Sequence, residues 1–155
     1  AGNATITAAD IDGGSSDNCG PVTLSASSTA FTCADVGANN VTLTVTDGAG
    51  NASTCIAVVT ISDTVSPAAV CQNITVFLDG AGNATITAAD LDGGSSDNCG
   101  PVSLSASQTA FTCANIGVNN VTLTVTDGSG NSDNCSSIVT VNDTTSPVIT
   151  TNNIG

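Results

Sequence analysis

Apolar and polar residues alternate along much of this chain. Val121-Thr122-Leu123-Thr124-Val125-Thr126 puts Val, Leu and Val on one side of an extended backbone and Thr on the other, and Val41 to Thr46 repeats the pattern. Successive strand side chains point to opposite faces, so a period of two predicts half-buried strands. Asp127-Gly128-Ser129-Gly130-Asn131 then predicts a Gly-rich turn. Cys135 to Asn142 predicts the return strand of a hairpin, with Val139 and Val141 on one face. Shorter alternating runs occur at Ile74/Val76/Leu78, Ala84/Ile86/Ala88 and Val102/Leu104/Ala106. No stretch carries a helical period. The expected fold class is all-β.

The pattern itself recurs. Residues 1–22 read AGNATITAADIDGGSSDNCGPV, and residues 81–102 read AGNATITAADLDGGSSDNCGPV, a period of 80. Of the first 51 aligned positions seven differ, Ile11/Leu91 and Ser28/Gln108 among them. Self-similarity of this kind marks a tandem array, and the period suits a small β-sandwich domain better than one solenoid coil. Asp63-Thr64-Val65-Ser66-Pro67 returns as Asp143-Thr144-Thr145-Ser146-Pro147. Proline removes a donor and biases its neighbour to extended backbone, which suits a junction. The expected organisation has three parts. Residues 1–62 form a repeat lacking its first strand, 63–142 a complete repeat, and 143–155 the first strand of a following repeat. The chain is expected to be a window cut out of register from a longer array.

Composition narrows the function. The 155 residues include no Lys, Arg or His, and 13 Asp give a net charge of −13. Imidazole-assisted nucleophiles and lysine Schiff bases are excluded, so no enzyme is expected. Phosphate clamps need Lys or Arg, so no nucleic-acid partner is expected. No apolar run approaches the roughly 18 residues of a spanning helix, so no direct membrane insertion is expected. Large side chains are few, with Phe31, Phe77 and Phe111 the only aromatics. Strict alternation and seven cysteines nevertheless point to small compact domains stapled by disulfides.

The complete repeat holds Cys71, Cys99, Cys113 and Cys135, and the first holds Cys19, Cys33 and Cys55. Four cysteines allow three connectivities, and sequence does not choose among them. Cys19–Cys33 and Cys99–Cys113 are favoured because they are local and recur at one spacing, which leaves Cys71–Cys135 to tie the first strand to the last. Cys55–Cys71 is a rival, and free thiols or a metal site are the alternatives to disulfides. Cys55 otherwise needs a partner upstream.

The aspartates have no cationic side chain to pair with. Asp10, Asp12 and Asp17 lie on one Gly-rich stretch and Asp90, Asp92 and Asp97 on its repeat. Such oxygens can serve Ca²⁺, which takes six to eight of them. The alternative is an Asx-turn loop ahead of the strand at Val102. No cofactor is expected apart from Ca²⁺ at these loops.

The run D-T-x-S-P (Asp63–Pro67), then A-A-V-C-x-N-I (Ala68–Ile74), S-D-N-C-G (Ser96–Gly100) and T-D-G-x-G-N-x-x-x-C (Thr126–Cys135) resembles the hyalin-repeat (HYR) module. The resemblance covers nearly the whole chain. It implies tandem extracellular immunoglobulin-like β-sandwich domains, structural or adhesive and not catalytic. The repeats and the Thr/Asn/Ala bias also resemble very large surface proteins of Bacteroidetes-type bacteria. Asp63-Thr64-Val65 and Asp143-Thr144-Thr145 resemble the Asp-Ser/Thr-apolar O-glycosylation signal of that group, which makes Thr64 and Thr144 candidates for covalent glycans. The expected function is a structural repeat of a secreted fibre or long cell-surface array. Its partners are neighbouring repeats or identical subunits, and the tail Ser146–Ile154 is a possible donor strand. The alternative is a Ca²⁺-dependent adhesin that binds through the acidic loops.

Overall fold

The Val–Thr alternation folds into two long hairpins, one in each repeat. The computed structural model describes residues 2–152. The chain is all-β and divides into two compact units. One is the chain up to Val65 together with Asn98–Gly100. The other is Ser66–Asp97 with the chain from Pro101 on. The boundary lies inside the Asp63–Pro67 punctuation, just beyond the position 62 read from the repeat.

The first unit contains β1 (Asn3–Thr5), β2 (Thr23–Ala26), β3 (Ala30–Thr32), β4 (Gly37–Thr46) and β5 (Ala52–Ile61). β1 and β3 pair as a short antiparallel ribbon, and β2, β4 and β5 form an antiparallel sheet in that order. The second unit contains β6 (Ile74–Phe77), β7 (Asn83–Thr85), β8 (Ser103–Ala106), β9 (Ala110–Thr112), β10 (Gly117–Thr126) and β11 (Ser132–Asn142). Here β7 pairs with β9, and β8, β10 and β11 repeat the three-stranded sheet. β6 adds a fourth strand, parallel to β11, from Val139↔Ile74 to Asn142↔Phe77.

An aspartate shapes each hairpin turn. Asp127 Oδ1 accepts from the N–H of Ser129 at 2.9 Å and of Asn131 at 2.8 Å, while the Asn131 amide donates to Oδ2 at 2.8 Å. Asp47 receives the same three bonds from Ala49 and Asn51. The turn needs a left-handed residue, which Gly50 (φ +91°) and Gly130 (φ +90°) provide without a Cβ clash.

The run Ala84/Ile86/Ala88, expected as one strand, is not one. β7 stops at Thr85, and Ala88–Leu91 forms a 3₁₀ turn. The N–H and hydroxyl of Thr87 both donate to Asp90 Oδ2, at 2.7 and 2.8 Å, and this side chain closes the turn. Thr7 and Asp10 do the same ahead of Ala8–Ile11. Turns this short leave no helical period in the sequence.

The two units bury nearly identical sequences to different depths. In the second, Leu91, Val125, Val139 and Val141 are fully buried, in one cluster with Phe111 of β9, so both sheets feed one core. In the first, the matching Ile11, Val45, Val59 and Ile61 are only half-buried. The difference lies in what covers them. Ala69, Cys71, Ile74 and Val76 pack against the second core. Their segment is pinned by the bridges Ala68↔Ser96 and Cys71↔Asp92, and by Asn73 Oδ1 accepting from Ile138 N–H at 2.8 Å. The tail from Ser146, expected as a strand through Ile154, forms no strand up to Asn152, and Ile154 lies outside the described residues.

Candidate functional site

Two disulfides form. Cys71 on the segment before β6 is bonded to Cys135 on β11, with Cα atoms 5.8 Å apart. Cys33 is bonded to Cys99, with Cα atoms 4.9 Å apart. The local pairs Cys19–Cys33 and Cys99–Cys113 expected from spacing are therefore not made. Among the described residues Cys19, Cys55 and Cys113 are exposed thiols. Closeness in sequence misleads here because the chain changes sheets between the two cysteines. β2, after Cys19, belongs to the sheet of β4, whereas β3, just before Cys33, pairs with β1. Cys33 thus lies beside the ribbon, while Cys19 sits on a loop that the Asp17↔Gly20 bridge closes on itself.

The Cys33–Cys99 bond lies in an open groove of about 410 Å³. Gly2, Cys33 and Val36 line it from the ribbon side, Asp63 and Val65 from the chain after β5, and Asn98 with Cys99 completes it. A Cβ on Gly2 would collide with both sulfurs. Val36 remains 43% exposed at its rim. Sequence reasoning missed this groove. Its only signals were the invariance of Gly2 and Cys33 between the repeats, and neither names a partner.

The outer edge of β5 is the second feature. β11, its counterpart, carries β6 there, but no described strand pairs with that edge of β5. Ile56 is 69% and Val58 65% exposed, and the Cys55 thiol is exposed beside them.

The acidic loops are held by their own turns. Asp10 accepts from Thr7, and those bonds, the Thr7 N–H first, keep its carboxyl below the ordinary range. Asp12 accepts from the hydroxyl and N–H of Ser15, which lower it likewise. Asp17 Oδ2 accepts from Cys19 N–H at 2.9 Å. In the second repeat Asp90 is lowered by Thr87, and Asp92 by the hydroxyl and N–H of Ser95. Asp97 is half-buried. Burial pushes Asp127 upward, but the donors on Asn131, Ser129 and Gly130 outweigh it and hold the group low. Each of Asp10, Asp12, Asp90 and Asp92 thus uses carboxylate oxygen to shape a four-residue turn.

Thr64 and Thr144 are exposed. Each follows an aspartate that closes an Asx turn, with Val65 N–H donating to Asp63 Oδ1 at 3.2 Å and Thr145 N–H to Asp143 Oδ1 at 2.8 Å. No described helix is long and apolar enough to cross a membrane. Compared with protein-family models and with curated proteins, the chain matches none.

Proposed function

We propose that this chain is a structural segment of an extracellular fibre or long cell-surface array, built from HYR-like, immunoglobulin-like domains in series and without catalytic activity. One observation carries the reading. The two repeats share every strand register of the β4–β5 and β10–β11 hairpins, and among the described residues the second is completed by a segment lying before it in the chain, Ser66–Leu78. A module that is finished by the residues preceding it is made to work in series. The exposed edge of β5 offers the first module the same completion by strand addition.

The chemistry agrees. The two disulfides belong to an oxidising, extracellular-type environment. A chain with no Lys or Arg offers trypsin-like proteases no cleavage site, which suits a durable outer structure. The partners are neighbouring repeats or identical subunits, with Thr64 and Thr144 as the sites for covalent glycans.

Electron microscopy of tandem arrays with two, four and eight periods tests the reading. The expected result is stiff rods whose length grows in proportion to the number of periods. Globular particles, or collapsed chains of unchanged length, would overturn it. An intact mass above the sequence mass, in material from the native source, would reveal the glycans, and peptide mapping should place them on Thr64 and Thr144.

A further inference from the structure

Both repeats carry the same cysteine beside the same glycine, and only one of the two is bonded. A Cβ built on Gly2 would lie 2.5 Å from the Cys33 sulfur, and one built on Gly82 would lie 2.7 Å from the Cys113 sulfur. Glycine is what leaves room for the sulfur in each repeat. The Cys33 sulfur lies 3.6 Å from the Gly2 carbonyl oxygen, and that of Cys113 lies 3.8 Å from the Gly82 carbonyl oxygen. The two sulfurs therefore hold the same pose. Around Cys33 the groove is built from Asp63 and Val65, and Cys99 supplies the second sulfur. Around Cys113 a second groove, of about 480 Å³, is built from the equivalent Asp143 and Thr145. No second sulfur is bonded there, and Cys113 is an exposed thiol.

The loop that brings Cys99 to the first groove reads S-D-N-C-G, Ser96–Gly100. The chain contains this loop once more, as Ser16–Gly20, and its Cys19 is also an exposed thiol. We infer that the Cys113 groove is the receptor for the Ser16–Gly20 loop of a second copy of this chain, closed by a Cys113–Cys19 disulfide. The contact reproduces between copies the bond that Cys33 and Cys99 make within one. Each copy carries one receptor, in the second unit, and one loop, in the first, so the contact is heterologous and propagates head to tail. Docking opens the Asp17↔Gly20 bridge, which the bonded loop lacks.

The reaction balances with a small-molecule disulfide as oxidant. The Cys113 thiolate attacks that disulfide, forms a mixed disulfide and expels one small thiolate. The Cys19 thiolate of the second copy then attacks the Cys113 sulfur and expels the other. One S–S bond breaks and one forms, and the two protons end on the two released thiols.

The inference rests on the fibre reading for its choice of partner, but its test reads covalent linkage and not rod length. The 155-residue chain is incubated with oxidised glutathione and run without reductant. The expected result is a ladder of dimers, trimers and longer species that collapses to monomer with dithiothreitol. Peptic mapping of the ladder should yield a Cys19–Cys113 peptide. Cys19→Ser and Cys113→Ser should each remain monomeric alone and give a single dimer band when mixed. Cys55→Ser should keep the full ladder. The inference is overturned by a monomer under these conditions, by a ladder linked through Cys55, or by Cys19 joined to Cys113 within one chain. Rods of proportional length without a ladder would end this inference and leave the fibre reading standing.

Discussion

Leu91 and Ile11 occupy the same place in the two repeats and sit in different surroundings. Leu91 is fully buried, whereas Ile11 is half-buried. Leu91→Ala removes a filled core position, so it should cost about 2–5 kcal/mol. Ile11→Ala should cost clearly less, because part of its side chain already faces water. Urea denaturation of both variants, followed as separate transitions of the two units, checks the difference, and equal costs would count against it. The carboxylates act at the same scale. Asp10, Asp12, Asp47, Asp90, Asp92 and Asp127 are all held below the ordinary carboxylate range, the first five by turn hydrogen bonds and Asp127 by such bonds outweighing its burial. A carboxyl lowered by folding stabilises the fold when ionised. That contribution is complete above the unfolded value of about 3.9 and disappears as pH falls through the lower folded values. The melting temperature should therefore stay level from about pH 7 to about pH 5 and drop below about pH 4. Calorimetry across this range checks the sign, and a rise in melting temperature on acidification below that point would contradict it.

At the scale of elements, β6 and its disulfide show what completes a module. The Cys71–Cys135 bond closes a loop with a sequence separation of 64. In the chain-entropy account such a loop is worth about 4 kcal/mol. The double variant Cys71→Ser, Cys135→Ser should lose about that much in the second unit while the transition of the first stays in place, as urea denaturation would show. Loss shared equally by both units would argue against the assignment. Alternation made the long strands β4, β10 and β11 legible, since each buries residues on one face only. The 3₁₀ turns were not legible, because one aspartate closing on a threonine makes the turn without any periodic signal. The parallel pairing of β6 with β11 was not legible either. Ile74, Val76 and Leu78 announce a strand but carry no mark of its neighbour or direction.

At the scale of the whole molecule, charge sets the conditions. Thirteen aspartates with no cationic side chain repel one another through water. Salt shortens the reach of that repulsion, from about 30 Å at 0.01 M to about 10 Å at 0.1 M. The melting temperature at neutral pH should rise over that range of sodium chloride, and scanning calorimetry would detect a flat or falling response as the contrary result. Sequence alone establishes the all-β class, the 80-residue period, the long Val–Thr strands and the absence of cationic side chains. Each of these follows from local alternation, repetition or the absence of a residue type. Tertiary structure adds which cysteines meet, how deeply each repeat is buried and which sheet edge no described strand covers. Cys19 and Cys33 are close in the chain, but the strands between them enter different sheets, so Cys33 meets Cys99 across 66 residues instead. Val59 and Val139 carry the same side chain at the same register, and only the segment packed over the second makes it core. Contact between distant segments depends on how strands are ordered in space, and a linear pattern of side chains does not record that order.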